Sequence, residues 1–248
     1  MSTASARTFD VIIVGGGPAG LFAAHWLSEH SSLRVLLLEK GKPPLKRHCP
    51  IGDHGCVHCR PCNILCGVGG AGLFSDGKLN FIHKLGKTDL TQFLGLAEAC
   101  QLIDETEAIF NRYGMDGQVF PTDMAAARTI RKEARKHGID LLLIRQKHLG
   151  SDNLPRHIDA MARQIEARGV VFHHSENVRD LLVEDGRVTG EVTDRDTYAA
   201  KSVILAPGRV GAEWMGALAG RHAIGLSQRG IEVGVRVEVH NEIMQDLF

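Results

Sequence analysis

Gly15, Gly17 and Gly20 stand in the spacing G-x-G-x-x-G, with Pro18 and Ala19 inside it. An apolar, β-branched run at residues 11–14 precedes them, and a helical pattern follows. In that setting each glycine has its own task. The first lets the chain turn tightly, the second lets backbone approach a pyrophosphate, and the third lets helix pack closely on strand. A helix starting here offers free N–H groups and a positive dipole end to phosphate oxygens. Glu39 ends the next apolar run, nineteen residues beyond Gly20. A carboxylate so placed accepts hydrogen bonds from a ribose diol and repels a 2′-phosphate. With Lys40 beside it, the set points to a dinucleotide other than NADP.

A second group is chemically loaded but less specific. Cys56, Cys59, Cys62 and Cys66 are spaced C-x2-C-x2-C-x3-C, as in a bacterial iron–sulfur ligand run. In such a run the fourth cysteine serves a second cluster and precedes proline, whereas Cys66 precedes Gly67. A single cluster would therefore take Cys56, Cys59 and Cys62 with Cys49 or Cys100 as a distant ligand. Zinc fits Cys49, Cys56, Cys59 and Cys62, with His48, His54 and His58 as substitutes. Redox thiols beside a cofactor are a third reading, and reduced cysteines filling a small core under a long loop a fourth. The spacing leaves all four open, and no metal ligand is assigned from it. Among other candidates, His25 reads as a packing or surface residue and His148 as a loop histidine. His173 and His174, adjacent on a strand, point to opposite faces and make a poor ligand pair. There is no G-x-S-x-G or other nucleophile motif, no second dinucleotide loop, and no identifiable catalytic acid or base.

The elements that must hold these residues are legible in outline. Strand, glycine turn, helix from Pro18 to about His30, and a buried strand ending at Glu39 make a βαβ unit. Residues 41 to about 87 show no sustained period, and unpatterned stretches of that length are usually functional. Helical patterns resume over residues 90–114 and 124–138, where Gly138 is a natural stop. The run DLLLI, residues 140–144, predicts a strand. Residues 151–169 predict a helix with Leu154, Ile158, Met161 and Ile165 on one face. A strand, a meander turning at Asp185-Gly186 and a last strand over 202–206 follow, then a short helix after Gly211. Strict alternation over 231–239 predicts a half-exposed strand. The organisation expected is one domain over 1–227, with a helical insertion at about 85–150. A second, antiparallel domain begins over 228–248, so the chain reads as the front portion of a longer protein.

Lysine plus arginine and aspartate plus glutamate each number 29, so no basic excess exists for phosphate-backbone binding, and no nucleic-acid partner is expected. No apolar run is long enough for a membrane span. The first ten residues hold no hydrophobic signal core, so a cytoplasmic location is expected.

Where an NAD domain would continue with βα repeats, a β-meander intervenes, followed by VILAPGRVG. Ala206-Pro207-Gly208 resembles the Ala-Thr-Gly stretch of the flavoprotein family that includes glutathione reductase and p-hydroxybenzoate hydroxylase. That resemblance spans about residues 9–41 and 155–211. CNILCGVGGAGLFSDGKLN, HLGSD and GVRVE look more closely like a bacterial group of FAD-dependent dehydrogenases. The resemblance implies an α/β, Rossmann-like FAD-binding domain of parallel sheet, helices and β-meander. It implies that Val178 contacts the adenine through backbone and that Ala206 and Gly208 border the cofactor. Gly67, Gly69, Gly70 and Gly72 would let their loop run beside pyrophosphate and flavin, with Lys78 either a nearby cation or a solvated lysine. The implied activity is FAD-dependent oxidoreduction, with NAD(P)H a candidate electron donor. A flavin monooxygenase, or an electron carrier with no small-molecule substrate of its own, are the alternatives.

Overall fold

Alternate residues of β1 (Arg7–Val14) point to opposite faces of one sheet, and both faces are covered. This explains the unbroken apolar run, since a central parallel strand has no solvent side. The computed structural model describes residues 7–150, 152–227 and 239–243. Helix α1 (Pro18–His30) leads from β1 to β2 (Val35–Glu39), every residue of which is buried. After a long irregular stretch come β3 (Lys78–Phe81) and the short pair β4 (Lys84–Leu85) and β5 (Thr88–Asp89). Then follow α2 (Leu96–Arg112), β6 (Val119–Phe120), α3 (Met124–Lys136), β7 (Arg145–His148) and α4 (Leu154–Ala167). The chain returns to the main sheet through β8 (Val171–His174), β9 (Val178–Glu184), β10 (Arg187–Thr193) and β11 (Thr197–Leu205), and α5 (Ala212–Arg221) follows.

The main sheet has the order β8-β2-β1-β11-β10-β9. Strands β8, β2, β1 and β11 run parallel, while β10 is antiparallel to both of its neighbours. On one face Val11, Ile13, Val35 and Leu37 pack with α1 and α4, whose Leu154, Ile158, Met161 and Ile165 form the expected apolar stripe. On the other, Ile12, Val14, Leu36 and Leu38 pack with Val178, Tyr198 and Trp214. The hairpin turns at Asp185 and Gly186, both at positive φ, as a tight primed turn requires.

Two expectations change. The insertion is not purely helical, because β3, β7 and β6 form a three-stranded antiparallel sheet beside α2. No strand forms over 140–144 either. Leu141 and Leu142 are exposed, and the strand is the polar segment Arg145–His148 that follows them. Pairing with β3, and ion pairs from Arg145 and the buried Lys147 to Glu107 of α2, outweigh the apolar propensity of the upstream run. Residues 231–238 of the expected half-exposed strand, and 228–230 where the second domain was to begin, lie outside the described residues.

His25 is a packing residue, as the sequence suggests. It is fully buried, with Nδ1 3.0 Å from the Tyr113 hydroxyl and Nε2 3.2 Å from both Glu29 and Arg112. Burial, resisted by Glu29, pulls its pKa below the ordinary histidine value.

Candidate cofactor site

The βαβ turn leaves β1 where its neighbours β2 and β11 carry the chain away to opposite sides of the sheet. In open α/β sheets that point, outside the carboxyl ends of the strands, is where ligands bind. Two cavities of about 380 Å³ and 540 Å³ lie there and share Gly15, Glu39, Lys40 and Pro207, so they form one continuous groove.

The glycines of the first turn are there for close approach. Gly15 adopts φ +103°, and a Cβ on it would fall 2.3 Å from the Ala206 carbonyl oxygen. A Cβ on Gly20 would fall 1.9 Å from the Gly15 carbonyl oxygen, so helix and turn touch only because it is glycine. Gly17 is the N-cap of α1 and no side chain caps that helix, with Pro18 in its first turn. The first-turn donors are thus left for a ligand.

Glu39, read from the sequence as the ribose acceptor, has a second task in the structure. It is buried, and its Oε2 accepts from the Gly16 N–H at 2.7 Å. Its Oε1 accepts from the Gly41 and Gly67 N–H groups at 2.8 and 2.9 Å. The carboxylate therefore ties the glycine turn to the later glycine-rich loop. With three of about four lone-pair sites taken, one on Oε2 remains for a hydroxyl.

The loop at residues 66–74 closes the second cavity. Val68 and Leu73 anchor it in the core beneath α1, and the Gly69 N–H donates to the Gly16 carbonyl at 2.8 Å. Gly70 borders the groove, whereas Gly69 faces Leu73 and Ile158 on the other side of the loop. Ala19 is exposed and borders neither cavity. Val178 and Trp214 wall the first cavity, and Ala206 and Gly208 border the second. A Cβ on Gly208 would meet no protein atom within 4 Å, so glycine there keeps the groove open. Lys78 is half exposed and paired with Asp76 at 2.8 Å, away from the groove.

Sequence reasoning missed two members of this site. Trp214 donates its indole N–H to the Arg179 carbonyl at 3.1 Å and so presents its ring to the groove mouth. Arg47 is buried under the glycine-rich loop and donates to three of its backbone carbonyls, at Gly67, Val68 and Gly70, and to those of Asn63 and Ile64 just before it. Burial lowers its pKa, while Glu39, Cys66 and Cys62 favour its charge. Neither residue belongs to a local motif.

The cysteines divide. Cys66 is buried and borders the groove, with burial pushing its thiol pKa up. Cys49, Cys56, Cys59 and Cys62 line a separate cavity of about 260 Å³. All six cysteines are free, and among the described residues no three His, Cys, Asp or Glu side chains sit close enough to share one metal ion. His173 contacts Glu176 and Tyr198, each at 3.0 Å, whereas the His174 Nδ1 is buried without a partner.

A glycine turn, an uncapped helix start and a carboxylate at the next strand end, around a two-part groove, define a dinucleotide-binding α/β domain. The chain belongs to the FAD binding domain family, which it matches over residues 92–243. Residues 13–72 match the NAD(P)-binding Rossmann-like domain. An uncharacterized protein of Clostridium beijerinckii is 22% identical over 236 residues, covering 94% of this chain and 37% of that one. A glucose-methanol-choline family oxidoreductase of Annulohypoxylon moriforme is 52% identical over 44 residues, 18% of this chain and 7% of that protein. The chain thus spans well under half the length of these relatives. Glycine oxidase from Geobacillus kaustophilus superposes with a TM-score of 0.53 at 19% identity, over 89% of this chain and 60% of that one. L-amino acid deaminase from Proteus myxofaciens, in complex with anthranilate, gives 0.51 at 17%, over 91% and 50%. These two likenesses establish the fold. Among the described residues no helix is long and apolar enough to cross a membrane.

Proposed function

We propose that this chain holds FAD in an FAD-dependent oxidoreductase of the dehydrogenase type. The observation that carries this is the two-part groove around Gly15, Gly17 and Glu39, in a chain of the FAD binding domain family. Its residues suit FAD half by half. The first cavity, with apolar walls from Val14, Leu38, Val178 and Trp214, takes the adenine. The second, with backbone walls from Gly15, Gly17, Gly70 and Gly208, takes the pyrophosphate across the start of α1. The remaining lone pair of Glu39 accepts a ribose hydroxyl. Bound FAD supplies hydride or electron transfer. The chain places the cofactor, balances its phosphate charge with the helix start and screens it from water with the loop at 66–74. NAD(P)H as electron donor would dock without a glycine turn of its own. A cytoplasmic setting accords with six free cysteines.

The purified protein is expected to carry about one FAD per chain, released on denaturation and identified by chromatography. Gly15→Ala forces a methyl against the Ala206 carbonyl at a φ that alanine rarely adopts, and should abolish flavin retention. A protein that holds no flavin and binds none on titration overturns the reading. Trp214→Ala tests the adenine half. Loss of that aromatic wall should weaken FAD roughly ten-fold, about 1.4 kcal/mol, in a fluorescence titration. Unchanged affinity would place the adenine elsewhere.

A further inference from the structure

From His48 to Leu65 no residue is buried, and Ile51, Val57 and Leu65 are openly exposed. A segment of this length without buried apolar side chains lacks the usual source of folding energy. Yet its shape is defined: Gly52 and Gly55 bridge, and Arg47 and Asn63 bind its two ends together through the Asn63 and His48 carbonyls. Four of its residues are cysteines that border a common space. Cys49, Cys56, Cys59 and Cys62 surround one cavity, together with Arg60 and Asn63 and with no carboxylate in its walls. Small excursions of this kind are commonly ordered by a metal centre in place of a core.

The geometry distinguishes the centres such a site can take. A structural zinc ion holds each sulfur at about 2.3 Å, which brings the four sulfurs within about 4 Å of one another. Among the described residues no such gathering exists. A four-iron cluster instead stands between its thiolates as a body of its own, so the sulfurs lie farther apart around a space. A cavity of about 260 Å³ lined by the four cysteine residues offers such a space, larger than a single ion needs. The His58 N–H lies 3.4 Å from the Cys56 sulfur, the kind of N–H···S contact that stabilises cluster thiolates. Arg60 brings positive charge to what would be an anionic group.

We propose that Cys49, Cys56, Cys59 and Cys62 form the ligand set of a [4Fe–4S] cluster, and that Cys66, the last cysteine of the ferredoxin-like spacing, is not a ligand. Cys66 lines the groove at the glycine turn instead. The two sites adjoin, since the Cys66 N–H donates to the Cys62 carbonyl at 2.9 Å. The proposal does not depend on the flavin reading.

The full-length protein, isolated anaerobically and reconstituted with ferrous iron and sulfide, tests it by chemical iron and acid-labile sulfide assays, with zinc and FAD measured on the same samples. About four irons and four sulfides per chain are expected, with a paramagnetic signal after dithionite reduction. Cys56→Ser and Cys59→Ser should lose the iron, Cys49→Ser should lose most of it, and Cys66→Ala should retain it in full. One zinc per chain, no retained iron, or loss of iron in Cys66→Ala with retention in Cys49→Ser overturns the assignment. Iron without flavin would sustain this site and sink the FAD reading, and flavin without iron would do the reverse.

Discussion

Replacing Arg47 by methionine is expected to cost about 3–5 kcal/mol of stability and to strip the protein of its flavin. Arg47 is 4% exposed, and the five N–H donors of its guanidinium are matched by five carbonyls. Nε donates to Asn63 at 2.9 Å, Nη1 to Gly67 and Val68 at 3.2 and 2.7 Å, and Nη2 to Ile64 and Gly70 at 2.7 and 2.9 Å. The plane also lies 5.0 Å from the Phe74 ring centroid. Three of these carbonyls, those of Gly67, Val68 and Gly70, belong to the loop that borders the groove, so a loop without its hub loses the wall against which the pyrophosphate rests. Methionine keeps the hydrophobic bulk and abandons every one of these acceptors. Arg47→Lys is the sharper comparison, because an ammonium keeps the charge but offers three donors from a point and cannot reach a fan of five carbonyls. It should destabilise nearly as much. Urea unfolding and flavin-to-protein absorbance ratios measure both effects. An Arg47→Lys protein that unfolds like the parent and keeps its flavin would show that charge alone organises the loop.

The contrast between Arg47 and the glycine turn shows what was readable beforehand. Gly15, Gly20, α1, Glu39 and the stripe on α4 follow from contacts between near neighbours in sequence, or from a period that one buried face imposes. These stand in the structure where the pattern placed them. Arg47 acts on carbonyls sixteen to twenty-three positions away, in a stretch with no period, and a carbonyl acceptor leaves no trace in residue type. The strand at Arg145–His148 was hidden for a related reason. Its residues are polar, and it exists because Lys147 and Arg145 meet Glu107 across the insertion, while the apolar run beside it is left exposed. The cysteine run was visible from the start, with Cys49 already among the candidate partners of Cys56, Cys59 and Cys62. The fold adds that Cys66 borders the groove while Cys49 lines one cavity with the other three.

Glu191 is expected to make the protein less stable as pH rises from about 4.5 to about 8, by roughly 4–5 kcal/mol in all. It lies in β10 with no exposed surface, opposite the buried Leu181 and Tyr198, and neither carboxylate oxygen has a hydrogen-bond partner. Desolvation pushes its pKa from 4.5 up to about 8. The folded protein therefore holds this proton more tightly than the unfolded chain does. Below pH 4.5 both states are protonated and the group adds no pH-dependent penalty. Between 4.5 and 8 the unfolded chain ionises while the folded one does not, so each pH step favours unfolding, and above 8 the loss is complete. Glu191→Met removes the titration and fills the same space with an apolar chain of similar length. The variant should be more stable than the parent at pH 5, because a neutral but unpaired buried carboxyl still costs about 1–3 kcal/mol. It should be more stable by a much wider margin at pH 9. Urea unfolding of the two proteins at both pH values isolates the group, since every other titration is common to them and cancels in the difference. A margin that stays constant between pH 5 and 9 would mean that Glu191 ionises in the fold as readily as in water, and that the interior around β10 offers it a partner after all.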